Sequence, residues 1–379
     1  KIKGLNYNFK DSSFQPNEVL QFSTAPPLHS SFLFQKKWKS GGSLDSENAM
    51  SSPKPDVAKK SSSSLARGRG APPCSPPNPQ SYRTTQVVGM IGCLERGAAP
   101  YLAGLVEADG SIAVHDSKSK SQLYRPKIII VFSLVDKPLA DRLALITQVG
   151  KVYLKSDAGY VLWQIQKKED VLVLINLING YMRTPKIEAL HRAINWFNLF
   201  DNCTLECLPL DNSPIDSNSW LAGFSDGDAN FSITLTDRKK NGKVTGKRLQ
   251  TFFRIELRQN YHRGESSSSS YFAVLSLIAE YLSVNLLSRT RQQGDKLFFA
   301  FMVLAHSTIS HKKVRAYFDR FPLYSSKYLA YKDWTYLQDL RLSGGVFTSE
   351  QIAEVQFIKS QFNSKRKVYD FSHLESLTI

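Results

Sequence analysis

The chemistry that this chain could perform centres on two acidic residues, Asp109 and Asp228, which stand at the same place in a repeated ten-residue pattern. One copy reads Tyr-Leu-Ala-Gly-Leu-Val-Glu-Ala-Asp-Gly at 101–110, the other Trp-Leu-Ala-Gly-Phe-Ser-Asp-Gly-Asp-Ala at 220–229. Each is an aromatic-led apolar helical turn with small residues four apart: Gly104 and Ala108, then Gly223 and Gly227. Small residues on one helix face let a second backbone approach closely. If the two helices pack through those faces, both acids meet at one end of the pair. Carboxylates so placed repel each other and the negative helix C-termini. A divalent cation relieves both problems. The carbonyls of Ala108 and Gly227, freed at the helix ends, are further oxygen donors of the kind that suits Mg²⁺. Such an ion can activate water and neutralise a phosphate during in-line displacement. The plainer reading, that each Asp only caps a turn before a strand, explains a single copy better than a duplicated one.

The two segments resemble the LAGLIDADG motif of homing endonucleases, in the single-chain form with two motifs. The resemblance covers roughly residues 97–342. It implies an α+β fold of two pseudo-symmetric αββαββα halves. Each half would carry a four-stranded antiparallel saddle sheet that lies in the DNA major groove, and the halves would pack through the two motif helices. It assigns catalysis and metal binding to Asp109 and Asp228, metal-facing carbonyls to Ala108 and Gly227, and supporting acidic positions to Glu107 and Asp226. Segments Asn179–Lys186 and Phe321–Lys327 look like the family's stretch with a basic active-site residue, which falls on Lys186 and Lys327. Glu256-Leu257-Arg258-Gln259 is similar to the strand end that bears a polar water-holding residue, giving Gln259, with Asp136 as its counterpart in the first half. Two departures are Ser225 in place of an aliphatic and Ala229 in place of the last glycine. The second loses freedom for positive φ.

Elements that could hold these residues recur in one order. Helix-like stretches read at Tyr101–Ala108, Lys137–Thr147, Asp170–Ile178 and Pro185–Phe197, with strands at Ser111–His115, Lys127–Phe132, Lys151–Leu154 and Tyr160–Gln166. The order returns as helices at Trp220–Gly227, Tyr271–Leu282, Lys312–Phe321 and Ser326–Leu340, with strands at Asn230–Thr236, Leu249–Leu257, Asn285–Arg291 and Lys296–Val303. This is a duplication. It divides the chain into halves at 96–200 and 219–342, joined by a polar linker at 201–218 and followed by a helix and basic tail at 343–379. Residues 1–95 are rich in Ser, Pro and Gly without hydrophobic period and read as disorder or linker. A first residue of Lys fits translation as an extension of an upstream exon.

The 379 residues carry 49 Lys+Arg against 33 Asp+Glu, a net charge of +16, which points to a polyanionic partner. Nucleic acid is the first candidate and an anionic membrane surface the second; no apolar run approaches the ~18 residues of a span. Four cysteines give no zinc spacing, and there is neither a P-loop, a His-Glu-x-x-His nor a compact Ser/His/Asp set. Alternation along the strands turns Ser111, Ala113 and His115 to one face, with Lys118, Lys120, Arg125 and Lys127 around the turn. In the second half Ser232, Thr234, Thr236 and Arg238 alternate with apolar residues, and Lys240, Arg248, Arg254 and Arg258 follow. These fifteen are the expected DNA-binding residues, loop lysines on phosphates and strand residues on bases. The resemblance implies a monomeric, intron-encoded endonuclease. It would hydrolyse both strands of a long duplex with Mg²⁺, leave short 3′ overhangs and promote intron mobility, in a mitochondrion or alternatively a chloroplast. The rival reading is an RNA maturase that binds its host intron RNA and helps it splice without cutting DNA. Retention of both Asp109 and Asp228 favours the nuclease.

Overall fold

The structure, a computed structural model, describes residues 98–114, 125–261 and 269–377. The expected N-terminal extension, His115, Lys118 and Lys120 lie outside these. In the first half α1 (Ala98–Asp109) leads into β1 (Gly110–Ala113), β2 (Lys127–Ser133), α2 (Lys137–Thr147), β3 (Lys151–Lys155), β4 (Tyr160–Ile165), α3 (Lys168–Ile178) and α4 (Ile187–Phe200). The second half repeats the order. It comprises α5 (Trp220–Asp228), β5 (Ala229–Lys240), β6 (Lys243–Arg258), α6 (Phe272–Tyr281), β7 (Leu286–Gln293), β8 (Lys296–Ala305), α7 (Thr308–Arg320) and α8 (Lys327–Leu342), and α9 (Ser349–Ser360) follows it. The two four-stranded sheets have equivalent orders, β1-β2-β4-β3 and β5-β6-β8-β7, with every pair antiparallel.

Each sheet buries one face under helices and leaves the other open, as period-two strands require. In β2, Ile128, Ile130 and Phe132 are buried, while Lys127, Ile129 and Val131 alternate with them. In β6 the buried set is Leu249, Thr251, Phe253 and Ile255. Phe231 and Phe253 pack there with Phe318 and Trp334 from the covering helices, at ring separations of 5.2–6.0 Å.

The first and fifth helices form the seam between halves, and their small residues make it possible. A methyl group on Gly104 would stand 2.1 Å from the Trp220 carbonyl oxygen, and one on Gly223 would stand 1.9 Å from that of Tyr101. Neither helix could sit where it does with any larger residue there.

Three features differ from the sequence reading. The stretch 237–248, expected as a lysine-bearing loop, continues as a long β5–β6 ribbon that turns at Asn241-Gly242, where φ is +50° and +76°. Asn-Gly is the natural pair for a two-residue hairpin turn with both φ positive. Its charged strands lack a buried face, so alternation could not reveal them. Helix α7 begins at Thr308 rather than Lys312, because Ser307 and Ser310 close a reciprocal capping box. The polar tail is also anchored. Asn363 donates to the Phe231 carbonyl at 2.9 Å, His373 stacks on Tyr328 at 4.2 Å, and the Leu377 carbonyl accepts from Arg142 of α2 at 2.8 and 3.2 Å. Among the described residues, no helix is long and apolar enough to cross a membrane.

Candidate active centre at the helix pair

At the C-terminal end of the seam, Gly227 packs against Ala108 so closely that an added methyl would lie 2.3 Å from the Ala108 Cβ and 3.1 Å from Asp109 Oδ2. The two motif acids therefore close the same end of the pair. Burial, and then the neighbouring Asp228 carboxylate, push the Asp109 carboxyl up to about 7 from its ordinary 3.8, against the pull of Lys327 and Lys186. A carboxyl that holds its proton more tightly when folded stabilises the fold at low pH and loses that contribution as pH rises from about 4 to about 7. In EDTA, Asp109→Asn is expected to melt higher than the parent at pH 8, with the gap closing towards pH 4. Thermal melts across that range check this.

The supporting acids are buried and pseudo-symmetrically saturated. Glu107 accepts from the amides of Arg183 (3.0 Å) and Thr184 (2.6 Å), and from Trp220 Nε1 of the other motif helix at 2.6 Å. Asp226 accepts from the Tyr324 amide (2.8 Å), the Ser325 hydroxyl (2.5 Å) and the Tyr101 hydroxyl of the opposite helix at 2.7 Å. Burial raises both carboxyls and these donors pull them back. Each acid thus binds the loop before a helix of its own half to the leading aromatic of the other.

Lys186 and Lys327 occupy matching places, but on the helix ends. Lys186, only 7% exposed, donates to the carbonyls of Val106, Glu107, Ala108 and Gly110 at 2.5–3.4 Å. Lys327 donates to those of Ser225 (3.1 Å) and Gly227 (2.6 Å). An ammonium at a helix C-terminus meets its unpaired carbonyls and negative dipole end. The Ala108 and Gly227 carbonyls, expected to face a metal, each already accept from an ammonium here, Ala108 from Lys186 and Gly227 from Lys327, leaving their second lone pairs. Gln259 lies just past β6, where its side-chain amide donates to the Ser288 hydroxyl of β7 at 2.9 Å and its main-chain carbonyl accepts from the Tyr271 amide at 2.9 Å. Tyr271 feels the Asp228 and Glu107 charges, which raise its phenol after burial. Asp136 lies near enough for its charge to raise Asp109, and it also joins the halves. Its carboxylate accepts from the Ser326 amide at 2.6 Å and from Ser133 Oγ at 2.5 Å, so it fastens the first half to the start of α8.

No group of three or more His, Cys, Asp or Glu side chains suited to a metal occurs among the described residues. Two carboxylates beside main-chain oxygens are instead a hard, incomplete donor set. That fits Mg²⁺, which keeps waters and takes phosphate oxygens besides one or two protein carboxylates.

Arg183 was not expected. Its side chain, 2% exposed, donates to Asp211 (2.6 Å), to the Ser213 carbonyl (2.6 Å) and hydroxyl (2.7 Å), and lies 5.6 Å from the Trp220 ring. It pins the segment between α4 and α5 against the second motif helix. Breaking a buried pair from one side costs about 3–5 kcal/mol because a buried charge is left unpaired, so Arg183→Met and Asp211→Asn should each lower the urea midpoint strongly, the second by stranding the more deeply buried Arg183.

The open sheet faces collect the expected strand residues. Cross-strand pairs place Asn230 beside Arg254, Ser232 beside Phe252, Thr234 beside Gln250 and Thr236 beside Arg248. Arg238 and Lys240 continue along the ribbon on either side of a register shift, and Arg258 ends β6. Lys247 is paired with Asp237 at 2.6 Å. In the first half Ser111 sits beside Ile129 and Ala113 beside Lys127, and Arg125 precedes the strand. Lys151, Tyr153 and Lys155 of β3 join the same face, opposite Gln164, Leu162 and Tyr160. Only their odd-number spacing could have signalled them, in a strand too short to show it clearly.

Two sheets of equal order joined by two glycine-faced helices that end in paired acids define a class. A profile of the LAGLIDADG endonuclease family matches residues 102–197 and 221–338, and the chain belongs to that family. It is 39% identical over 303 residues to the intron-encoded DNA endonuclease aI3 of Saccharomyces cerevisiae, covering 73% of this chain and 72% of that one. An uncharacterized 37.2 kDa protein of cox1 intron 2 in Schizosaccharomyces pombe is 32% identical over 240 residues, 62% of this chain and 63% of that protein. In fold the chain is similar to the LAGLIDADG homing endonuclease I-GzeII solved with its DNA target. The TM-score is 0.52 at 17% identity, over 72% of this chain and all of that one. It is also similar to I-SmaMI bound to cleaved DNA (TM-score 0.51, 17% identity, 71% and 98% covered).

Proposed function

We propose that the chain is a site-specific homing endonuclease that hydrolyses both strands of a long DNA duplex, leaving short 3′ overhangs and promoting mobility of the intron that encodes it. The observation that carries this reading is the pair of acids, Asp109 and Asp228, near enough at one end of the seam for the charge of the second to raise the first, where the seam joins two sheets with basic open faces. Asp109 and Asp228 would hold Mg²⁺, with the Ala108 and Gly227 carbonyls beside them. A divalent ion there supplies charge neutralisation of the scissile phosphate and a water of lowered pKa. Lys186 and Lys327 hold the helix ends rigid and leave positive charge beside the phosphate, Glu107 and Asp226 fix the loops from which those lysines start, and Tyr271 limits water near Asp228. Gln259 positions Tyr271 through its carbonyl. The halves on this reading are 96–200 and 219–342, joined by 201–218 and closed by 343–379, and they act as a monomer. Residence in a mitochondrion is supported by the relative named for a cox1 intron.

The test is incubation with a plasmid carrying the joined exons that flank the gene, with Mg²⁺ or EDTA. Linear product with 3′ overhangs in Mg²⁺ only is expected. Tight binding of the unspliced intron RNA with no cut would replace this reading with that of a maturase. Because each phosphate neutralised releases counterion, binding to duplex DNA should weaken about a thousandfold or more between 50 and 200 mM salt. A flat response in filter binding would remove the basic faces from the interface.

A further inference from the structure

One carboxylate stands in the middle of the second half's basic face. Glu256 of β6 accepts from Arg291 at 2.7 Å and Arg289 at 3.3 Å, both on β7, and lies 3.7 Å from Arg254 on its own strand. Strand β8 runs between β6 and β7, so the two β7 side chains cross it to reach Glu256. The register puts Ala300 between Arg289 and Arg258, a residue small enough to be crossed. The Glu256 side chain is 12% exposed, while those of Arg254, Arg289 and Arg291 are 30–41% exposed. The acid is therefore the sunken member and the guanidinium groups are the presented ones.

Neither the fold nor ordinary charge balance asks for this cluster. Gly110 pairs with Ile130 as Ala229 pairs with Ile255, so Val131 and Ile129 hold the places of Glu256 and Arg254 in the first half. That sheet forms with apolar residues there. A face that takes phosphate gains nothing from a carboxylate, which repels it. One cation would suffice to neutralise Glu256, yet three converge on it. Each guanidinium carries more N–H donors than a shared carboxylate can accept, so most donors remain for a ligand. Arg291 Nε, buried, has no hydrogen-bond partner.

We infer that Glu256 is a positioning residue which holds Arg289 and Arg291 as a fixed pair of forks for reading guanine in the major groove, and that this pair sets sequence selectivity in the half-site under the second sheet alone. The inference rests on the DNA reading above. An arginine fork matches guanine O6 and N7 when its plane is fixed, and fixing it beforehand removes the ordering cost that binding would otherwise carry. Arg254, on the strand beside Asn230, extends the cluster towards the motif helix.

The experiment is selection of bound duplexes from a randomised pool by the full chain and by Glu256→Gln, followed by sequencing and a salt titration on an unrelated duplex. The parent should select guanine at one or two positions in one half-site only. Glu256→Gln should lose roughly tenfold of that preference, leave the other half-site unchanged, and bind unrelated DNA more tightly because a repelling charge is gone. Arg291→Lys, which keeps the charge but not the fork, should lose the same preference with an unchanged salt slope, and it serves if Glu256→Gln does not fold. A parent that binds and selects while both variants keep its profile would overturn this inference and leave the DNA reading standing. A parent with no salt-dependent duplex binding would overturn both.

Discussion

Asp109→Asn or Asp228→Asn should abolish double-strand cleavage while the protein still binds its duplex. Either change keeps the side-chain shape and removes a charge that, on the proposed mechanism, the centre needs to hold a divalent ion. Loss of one preorganised electrostatic group costs about 10²–10³-fold in rate, and loss of an ion ligand should exceed that. The proposed binding surface is the sheet faces, where residues such as Arg248 and Arg254 lie on strands, so affinity should stay within a few-fold. The pH behaviour carries a second readout. If Asp109 holds the ion as proposed, its carboxyl, raised to about 7 by burial and by Asp228, must ionise before metal binds, so cleavage at limiting Mg²⁺ should rise with pH up to about that value. Agarose assays of supercoiled plasmid separate the outcomes. Linear product from either variant at the parent rate would sink the two-acid mechanism.

Gly223→Ala should be the most destabilising methyl added to any glycine among the described residues. In an exposed helix the change gains about 1 kcal/mol from propensity alone. Here the methyl would meet the Tyr101 carbonyl oxygen at 1.9 Å and the Leu105 amide nitrogen at 2.9 Å, both backbone atoms that cannot swing aside. Overpacking costs about 1–3 kcal/mol and occasionally more, and here relief requires two helices to part. Parting them stretches the Tyr101–Asp226 and Trp220–Glu107 bonds, leaving buried acids short of donors. The expected result is a fall in melting temperature of several degrees together with loss of cleavage. Gly104→Ala should behave alike, from the clash with Trp220. An unchanged melting curve for both would mean that the seam is looser than its backbone distances say.

What could be read from sequence was what repeats or alternates. The paired motif showed the seam, the acids and the small faces, because a ten-residue pattern seen twice carries its own control. Most helices and strands followed from period, down to Lys137–Thr147 at both ends. What escaped depends on partners distant in sequence. Nothing near Asp136 announces Ser326, and nothing near Arg183 announces Trp220. Arg289 and Arg291 looked like ordinary strand polarity, because their meaning comes from Glu256 two strands away. Residues 361–377 looked like a polar tail, since the few apolar side chains that anchor them, Leu374 and Leu377, show no period.

The crossed donors at the seam bear on ancestry as well as chemistry. A phenol with long reach meets the shorter acid, Tyr101 with Asp226, and an indole meets the longer one, Trp220 with Glu107. Joining two copies of the second half would set Trp220 against Asp226, and two copies of the first would set Tyr101 against Glu107. Both mispair the reach of donor and acceptor. Since the duplication, the halves have therefore become spouses rather than twins. Each now recognises its partner over a copy of itself, which disfavours the pairing of two like halves from different molecules.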